Sequence, residues 1–224
     1  MSETMRAHLR ELVRDWVEGW ALSRDVSAPL EVPEGFFIHV GRPGHMVRYV
    51  LPEHDPAMLR ALVQRATSPG TWLKICASRD EIELPDSWAI SEPEFLMAVA
   101  LHSAPPPEVP IPYEIEIETH AHITDARLRA TDGSVAASGR IVVHGASAVV
   151  DQVVTDPAHR RRGLGSFVMK QLCARAADRG ASRGALVATS EGLELYRSLG
   201  WTLESPMTVA ILRPDTHAVP TFSF

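Results

Sequence analysis

An apolar strand, a turn rich in arginine and glycine, and a helix follow one another in the second half of the chain. The apolar run from Val149 to Val154 is long enough for one buried strand. Apolar side chains then recur at helical spacing from Leu164 to Ala176, and Gly180 follows where a C-terminal glycine belongs. The chain therefore has to place this turn between the end of a strand and the start of a helix.

The composition of the turn is suited to an anion. The first turn of a helix leaves backbone N–H groups without partners and carries partial positive charge, so a phosphate binds well there. Glycines leave the backbone open to a ligand, and arginines add positive charge. An ordinary strand-to-helix turn with solvated arginines is the alternative interpretation. The residues concerned are Arg160, Arg161, Arg162, Gly163, Leu164, Gly165 and Ser166.

Two motifs resemble a known family. The run Pro157-x-x-Arg160-x-x-Gly163-x-Gly165 resembles the acetyl-CoA pyrophosphate loop of the GCN5-related N-acetyltransferases, the GNAT superfamily. Further along, the run Leu-Tyr-Arg-Ser-Leu-Gly-Trp at Leu195–Trp201 resembles the family's second signature, a tyrosine followed by a glycine and an aromatic residue. The two motifs in this order are much more specific than either alone. The resemblance covers residues 113–212, and the first half carries no assignable motif.

The resemblance implies an α/β (α+β) fold of GNAT type. It has a mixed, mostly antiparallel sheet flanked by helices. We expect a smaller α+β domain before it, at residues 1–104, with an amphipathic helix at Met5–Arg24. Five prolines between Ser103 and Pro112 cannot continue a helix or an inner strand, so we predict a linker at 105–112. The GNAT domain then spans 113–213, and 214–224 is a C-terminal tail.

The resemblance also implies a set of cofactor contacts. It places the pyrophosphate of acetyl-CoA on the backbone N–H groups of Arg161 to Ser166. It places the pantetheine arm in a gap beside the preceding strand, along Val153, Val154 and Thr155. The family often has valine at the position of Thr155, which is also β-branched and suits a strand. A backbone N–H of this strand would polarise the thioester carbonyl.

Tyr196 matches the family's tyrosine, which protonates the departing CoA thiolate. A phenol can do this because its ordinary pKa of about 10 keeps it protonated at neutral pH and is close to the thiol's value of about 8.5. The alternative is a helix tyrosine that only packs.

The general base is harder to assign. Asp151 is the first candidate because strict alternation along a strand puts it on one face with Val149, Val153 and Thr155. The alternative is a carboxylate that makes structural hydrogen bonds. Weaker candidates for the base are Glu118, His120 and His122, which lie on or near a strand with three alternating glutamates. These glutamates would form an acidic wall that attracts a cationic amine. The alternative is a merely solvated strand face.

The function predicted is an acetyl-CoA-dependent N-acetyltransferase. A primary amine, of a small molecule or a peptide, would attack the thioester directly in a ternary complex. The alternative is a non-catalytic module that binds or senses acyl-CoA. A dinucleotide-binding oxidoreductase is disfavoured because Val168 stands where the fingerprint needs a third glycine. The acceptor is not identified by the sequence.

Charge and composition exclude other classes. The net charge of −6 argues against a general nucleic-acid binder. Two cysteines form no disulfide framework, and no spacing of His, Cys, Asp and Glu suggests a metal. No apolar run approaches about 18 residues, so we expect no membrane segment and a cytoplasmic protein. Exposed edge strands make a homodimer an expectation.

Overall fold

The structure, a computed structural model, describes residues 2–214. The predicted tail therefore lies outside the described residues except for Pro214. Four α-helices occur in the described part, together with two short 3₁₀ turns: α1 Glu3–Arg24, α2 Pro56–Arg65, α3 Leu164–Asp178 and α4 Ser190–Ser198. The strands are β1 Leu30–Val32, β2 Gly35–Arg42, β3 His45–Leu51, β4 Thr71–Ile75, β5 Trp88–Ile90, β6 Glu94–Ala100, β7 Glu114–His120, β8 Ile123–Arg129, β9 Val135–His144, β10 Ser147–Thr155, β11 Arg183–Thr189 and β12 Thr202–Leu212.

The strands form one sheet of mixed direction. Its order is β1-β2-β3-β4-β12-β6-β11-β10-β9-β8-β7, and β5 pairs with β12 off this path. Within the described residues, only β3 with β4 and β10 with β11 are parallel; every other pair is antiparallel. The prediction of a mostly antiparallel sheet flanked by helices is confirmed.

The sheet is continuous across the predicted linker. Strand β6 precedes the linker in sequence, yet it lies between β11 and β12 in the sheet. The first part of strand β12 pairs with β6, and its second part pairs with β4. The division at residues 105–112 stays a prediction. That segment is held against α3, where Gln171 Nε2 donates to the carbonyl of Pro107 at 2.8 Å.

Helix α1 covers the face of the sheet opposite α3. Its buried stripe packs with residues of β2, β6, β10 and β11 in one core. Helix α3 packs on the other face with β8, β9 and β10. Helix α1 contributes six side chains to this core: Leu9, Leu12, Val13, Trp16, Val17 and Trp20.

Gly19 marks the closest approach of α1 to the sheet. It is buried, and a Cβ at this position would lie 2.6 Å from the Cβ of Val149 on β10. Real side chains do not approach so closely, so only glycine lets the helix rest on the strand here. The closeness fixes α1 over β10.

We predict that Gly19→Ala destabilises the protein although alanine is the better helix former. Overpacking at such a contact typically costs about 1–3 kcal/mol. Urea denaturation should show this loss of unfolding free energy. As a control, Thr4→Ala at an exposed position of the same helix should change the stability by less than about 0.5 kcal/mol. A Gly19→Ala protein as stable as the parent would mean that α1 does not pack this closely.

Candidate active site

Strands β10 and β11 separate after a short parallel pairing. Their register runs from Ser147 opposite Arg183 to Val149 opposite Ala185 and stops there. Both strands continue, to Thr155 and Thr189 respectively. On its other edge β10 stays paired with β9 as far as Thr155. One edge of β10 is therefore open beyond Val149, and its backbone can pair with an extended ligand.

A β-bulge interrupts β10 inside this open part. The register with β9 shifts between Asp151 and Val154, and Gln152 takes a positive φ of 57°. A bulge sets two residues against one and reverses the alternation of side chains. Val149 packs in the core under α1, whereas Val153 packs against the core under α3.

The prediction that Asp151 shares a face with Val153 and Thr155 is therefore wrong. Asp151 contacts the C-terminal end of α1. The Oγ1 atom of Thr155 lies on the α3 side, 3.3 Å from where a Cβ of Gly165 would be. Val154 is 59% exposed. The physical reason is the bulge at Gln152, which a strict two-residue period does not anticipate.

A cavity of about 350 Å³ lies where the two strands separate. Strands β10 and β11 and helix α4 form one side, and elements of the first half of the chain close the other. The side chains and backbone of both halves thus meet at one site. The lining residues are Trp16, Trp20, Arg24, Val40, Arg42, His45, Arg48, Lys74, Glu94, Val150, Asp151, Gln152, Val153, Leu186, Val187, Ala188, Thr189 and Tyr196.

The carboxylate of Asp151 already accepts four hydrogen bonds. Arg24 donates from Nε to Oδ2 at 2.6 Å and from Nη2 to Oδ1 at 2.7 Å. Ser23 Oγ donates to Oδ2 at 2.7 Å, and the backbone N–H of Gln152 donates to Oδ1 at 2.9 Å. These bonds attach the end of α1 to the bulge of β10. The role of Asp151 as a base stays a prediction, and it would require one of these bonds to open.

Tyr196 reaches the cavity from α4. Burial, and next the negative charge of Asp151, raise the pKa of its phenol to about 12. The phenol is therefore protonated at neutral pH. Its ring centroid lies 6.3 Å from that of the buried Trp201. Gly192, one turn earlier, leaves room for the ring, since a Cβ there would lie 2.9 Å from Cε2 of the tyrosine.

The helix start that follows β10 offers unpaired amides. Gly163 is the N-cap of α3 with φ 73°, in the left-handed region that glycine adopts without strain. The first hydrogen bond of the helix is donated by Phe167 to the carbonyl of Gly163 at 3.0 Å. In the described part of the chain, the N–H groups of Arg161 to Ser166 have no hydrogen-bond acceptor among the turn and cap bonds.

The three arginines of the turn differ in their contacts. Arg160 Nη1 lies 3.3 Å from Glu191 Oε1 at the start of α4, and Arg162 Nη1 donates to Tyr113 Oη at 2.9 Å. Arg161 is exposed and has a positive φ of 61°. The turn thus presents backbone amides and positive charge to solvent beside the open edge of β10.

The weaker base candidates lie away from the cavity. Glu118 pairs with Arg127 at 2.8 Å on the exposed pair of strands β7 and β8, where Glu116 pairs with Arg129. His122 contacts the carbonyl of Val143 at 3.1 Å, and His120 is exposed on β7. None of them lines the cavity. The glutamates form a solvated, ion-paired face and not an acidic wall of the site.

A group of charged residues on β3, β4 and β6 also lines the cavity, and it belongs to no motif recognised in the sequence. Lys74 is buried and pairs with Glu94, and burial lowers its pKa to about 8. Burial likewise lowers the pKa of Arg48 to about 10 and that of His45 to about 4. The available signal was a lysine between Leu73 and Ile75 in an otherwise apolar strand.

Residues 2–214 contain neither a metal-binding cluster nor a helix suited to cross a membrane. No group of three or more His, Cys, Asp or Glu side chains is placed to hold a metal ion there. In the same range, no helix combines the length and the apolar character that crossing a membrane requires.

Solved structures share the fold over nearly the whole chain. A GCN5-related N-acetyltransferase from Kribbella flavida superposes with a TM-score of 0.63 at 16% identity, covering 94% of this chain and 96% of its own. One from Sphaerobacter thermophilus gives 0.59 at 12% identity over 91% and 92%. A putative GNAT acetyltransferase from Novosphingobium aromaticivorans gives 0.56 at 18% identity over 90% and 96%. At these identities the likeness shows the fold alone.

The comparison with protein-family models identifies the family. No curated protein matched the chain. The acetyltransferase (GNAT) family matches residues 90–201, half of the chain. The matched range contains β10, the turn with its open amides, and α4 with Tyr196. The chain therefore belongs to the acetyltransferase (GNAT) family.

Proposed function

We propose that this protein transfers the acetyl group of acetyl-CoA to a primary amine by direct attack in a ternary complex. The observation that carries the proposal is the open edge of β10, which runs from the cavity toward the unpaired amides at the start of α3. An extended ligand with a phosphate at one end and a reactive group at the other fits this arrangement. Acetyl-CoA is such a ligand.

The turn would bind the pyrophosphate. The amides of Arg161 to Ser166 are its donors, and Arg160, Arg161 and Arg162 supply positive charge. The phosphates could approach the backbone closely at Gly163, Leu164 and Gly165. The space around Gly163 is open, since a Cβ there would meet nothing within 4 Å. The side chain of Leu164 is buried in the core and does not cover the turn. The backbone of Val153, Val154 and Thr155 would pair with the pantetheine arm.

The open edge of β10 would also stabilise the developing oxyanion. A backbone N–H near the bulge can donate to the thioester oxygen as negative charge forms there. Loss of one such donor typically costs about 3 kcal/mol of barrier. The amine then needs mainly to be held in line with the carbonyl carbon.

Tyr196 would donate a proton to the departing thiolate. The same burial that raises the pKa of the phenol to about 12 acts on a thiolate formed in this cavity, because desolvation disfavours the charged form of both groups. Asp151 remains the candidate base, alone or through water. Its bond to Arg24 gives it a second role, since it holds the end of α1 at the cavity.

Binding measurements test the pyrophosphate site. We predict that calorimetry detects CoA binding and that pantetheine, which lacks the pyrophosphate, binds at least tenfold more weakly. The reason is that the amides of Arg161 to Ser166 donate to no acceptor within residues 2–214, so the pyrophosphate would supply acceptors that pantetheine lacks. Equal affinities for the two compounds would remove the turn from the site, and no heat with CoA would refute the proposed function.

The phenol is tested by Tyr196→Phe. We predict that kcat for thiol release from acetyl-CoA falls by about 10²–10⁴-fold, as for loss of a general acid, while the Kd of CoA changes by less than about twofold. Tyr49→Phe, in the separate core with α2, serves as the control and should leave kcat unchanged. Unchanged turnover in Tyr196→Phe would remove the acid assignment. Tight CoA binding without turnover on any amine would favour the non-catalytic acyl-CoA-binding alternative.

The position of the ring is tested by Gly192→Ala. The new Cβ would lie 2.9 Å from the tyrosine ring and must displace it. A displacement of about 1 Å can cost up to about 10²-fold in rate, so we expect kcat to fall at least tenfold. Thermal stability should change little, because the helix propensity of alanine, about 1 kcal/mol better than that of glycine, offsets the cost of moving the ring. Ser198→Ala, exposed on the same helix, should leave kcat unaltered. A full rate in Gly192→Ala would show that the ring position is not critical.

A further inference from the structure

Arg48 is a buried cation that makes no salt bridge within residues 2–214, although the charges of Glu94 and Asp151 act on it from a distance. It stands on β3, lines the cavity and is only 6% exposed. Its Nε and Nη1 atoms are buried and find no hydrogen-bond acceptor in the described part of the chain. Its guanidinium carbon lies 3.9 Å from the ring centroid of Trp20. A buried donor without an acceptor is costly, so an oxyanion that reached this guanidinium would remove part of that cost.

The charges around the cavity do not balance. Among its lining residues, Arg24, Arg42, Arg48 and Lys74 are cationic, while Glu94 and Asp151 are the only carboxylates. Lys74 pairs with Glu94, and Arg24 pairs with Asp151. Both acids are thereby occupied, which leaves Arg48 and the exposed Arg42 in excess.

His45 does not supply the missing charge balance. Burial is the main reason that its pKa falls to about 4, and the nearby Arg48 and Lys74 lower it further. The imidazole is therefore neutral at pH 7. Its Nε2 atom is buried and has no hydrogen-bond partner in residues 2–214. The cavity thus offers a cation and a neutral polar group, both unpaired, on the side formed by the first half of the chain.

We propose that Arg48 binds an anionic group on the acceptor, so that the substrate is a small amine carrying a carboxylate or a phosphate. This inference rests on the proposed function. The guanidinium is suited to such an oxyanion because its fixed, planar N–H donors match the geometry of both groups. The guanidinium carbon lies over the ring of Trp20. Trp20 and His45 line the same side of the cavity as Arg48.

The size of the cavity supports a small acceptor. Pockets for small molecules measure about 300–1,000 Å³, and this cavity of about 350 Å³ is at the lower end. The acetyl group beside the bulge of β10 has to share the same space. An amine of amino-acid size fits this limit, whereas a folded protein surface does not.

The surplus of positive charge also affects the amine. A site with unpaired cations disfavours an ammonium ion and lowers the pKa of a bound amine. The acceptor therefore loses its proton more easily there, although Asp151 is occupied by hydrogen bonds. The attraction of the anionic group to Arg48 compensates for the repulsion of the ammonium group. The site therefore favours a negative charge at one end of the acceptor and a neutral amine at the other.

The test compares acceptors that differ only in their anionic group. Calorimetry on the protein saturated with CoA would measure α-amino acids against their α-amides, and O-phosphoethanolamine against ethanolamine. We expect at least tenfold tighter binding of the anionic member in one of the two series. The series that shows the preference identifies the group as a carboxylate or a phosphate.

Variants of Arg48 connect the preference to this residue. Arg48→Gln should abolish the preference, and Arg48→Lys should retain part of it. Arg60→Gln, exposed on α2, is the matched control and should retain it in full. If Arg48→Gln fails to fold, the comparison of acids with amides in the parent protein and in Arg48→Lys still decides. Equal binding of charged and neutral members by the parent protein would overturn the inference.

The two proposals fail in different ways. If CoA binds and neutral amines are acetylated as well as anionic ones, the acceptor inference is wrong and the acetyltransferase stands. If CoA does not bind, the acetyltransferase proposal is wrong. The anion site is then decided by the same acid and amide pairs on the protein without CoA.

Discussion

The end of hydrogen bonding between β10 and β11 is the constraint on which the site depends. The pairing stops at Val149 and Ala185, and the two strands then run apart. If β10 and β11 stayed paired along their whole length, the edge of β10 would be covered and no cavity would form between them. Because β9 continues to pair with the other edge as far as Thr155, the open strand remains part of the sheet up to the turn before α3. The open edge, the cavity and the helix start are consequences of this single separation.

The first half of the chain stabilises the separated strands. Helix α1 rests on β10 through Gly19, and its end is attached to the bulge by Arg24 and Ser23 through Asp151. The residues in each of these contacts are more than a hundred positions apart in the sequence. The residue pattern within a single helix or strand therefore cannot predict them. Strands β3 and β4 join the sheet through the pairing of β4 with β12, and they contribute Arg48 and Lys74 to the cavity.

Burial changes the chemistry of the groups that meet there. It keeps the phenol of Tyr196 protonated by raising its pKa to about 12 and keeps His45 neutral by lowering its pKa to about 4. The buried Lys74 is stabilised by its ion pair with Glu94. Arg48 has no such partner in the described residues. Desolvation thus acts on both the proposed acid and the proposed anion site.

The sequence by itself determined the local elements around the site. The apolar run before the turn, the glycines within it and the helical period after it are short-range patterns, and β10 and α3 lie where they predict. Tertiary structure alone decided the rest. The bulge at Gln152 turned Asp151 away from Val153, because pairing with β9 and not local propensity sets the register. The placement of β6 between β11 and β12, and of Arg48 in the cavity, depends on contacts between distant segments, whose energies no local pattern records.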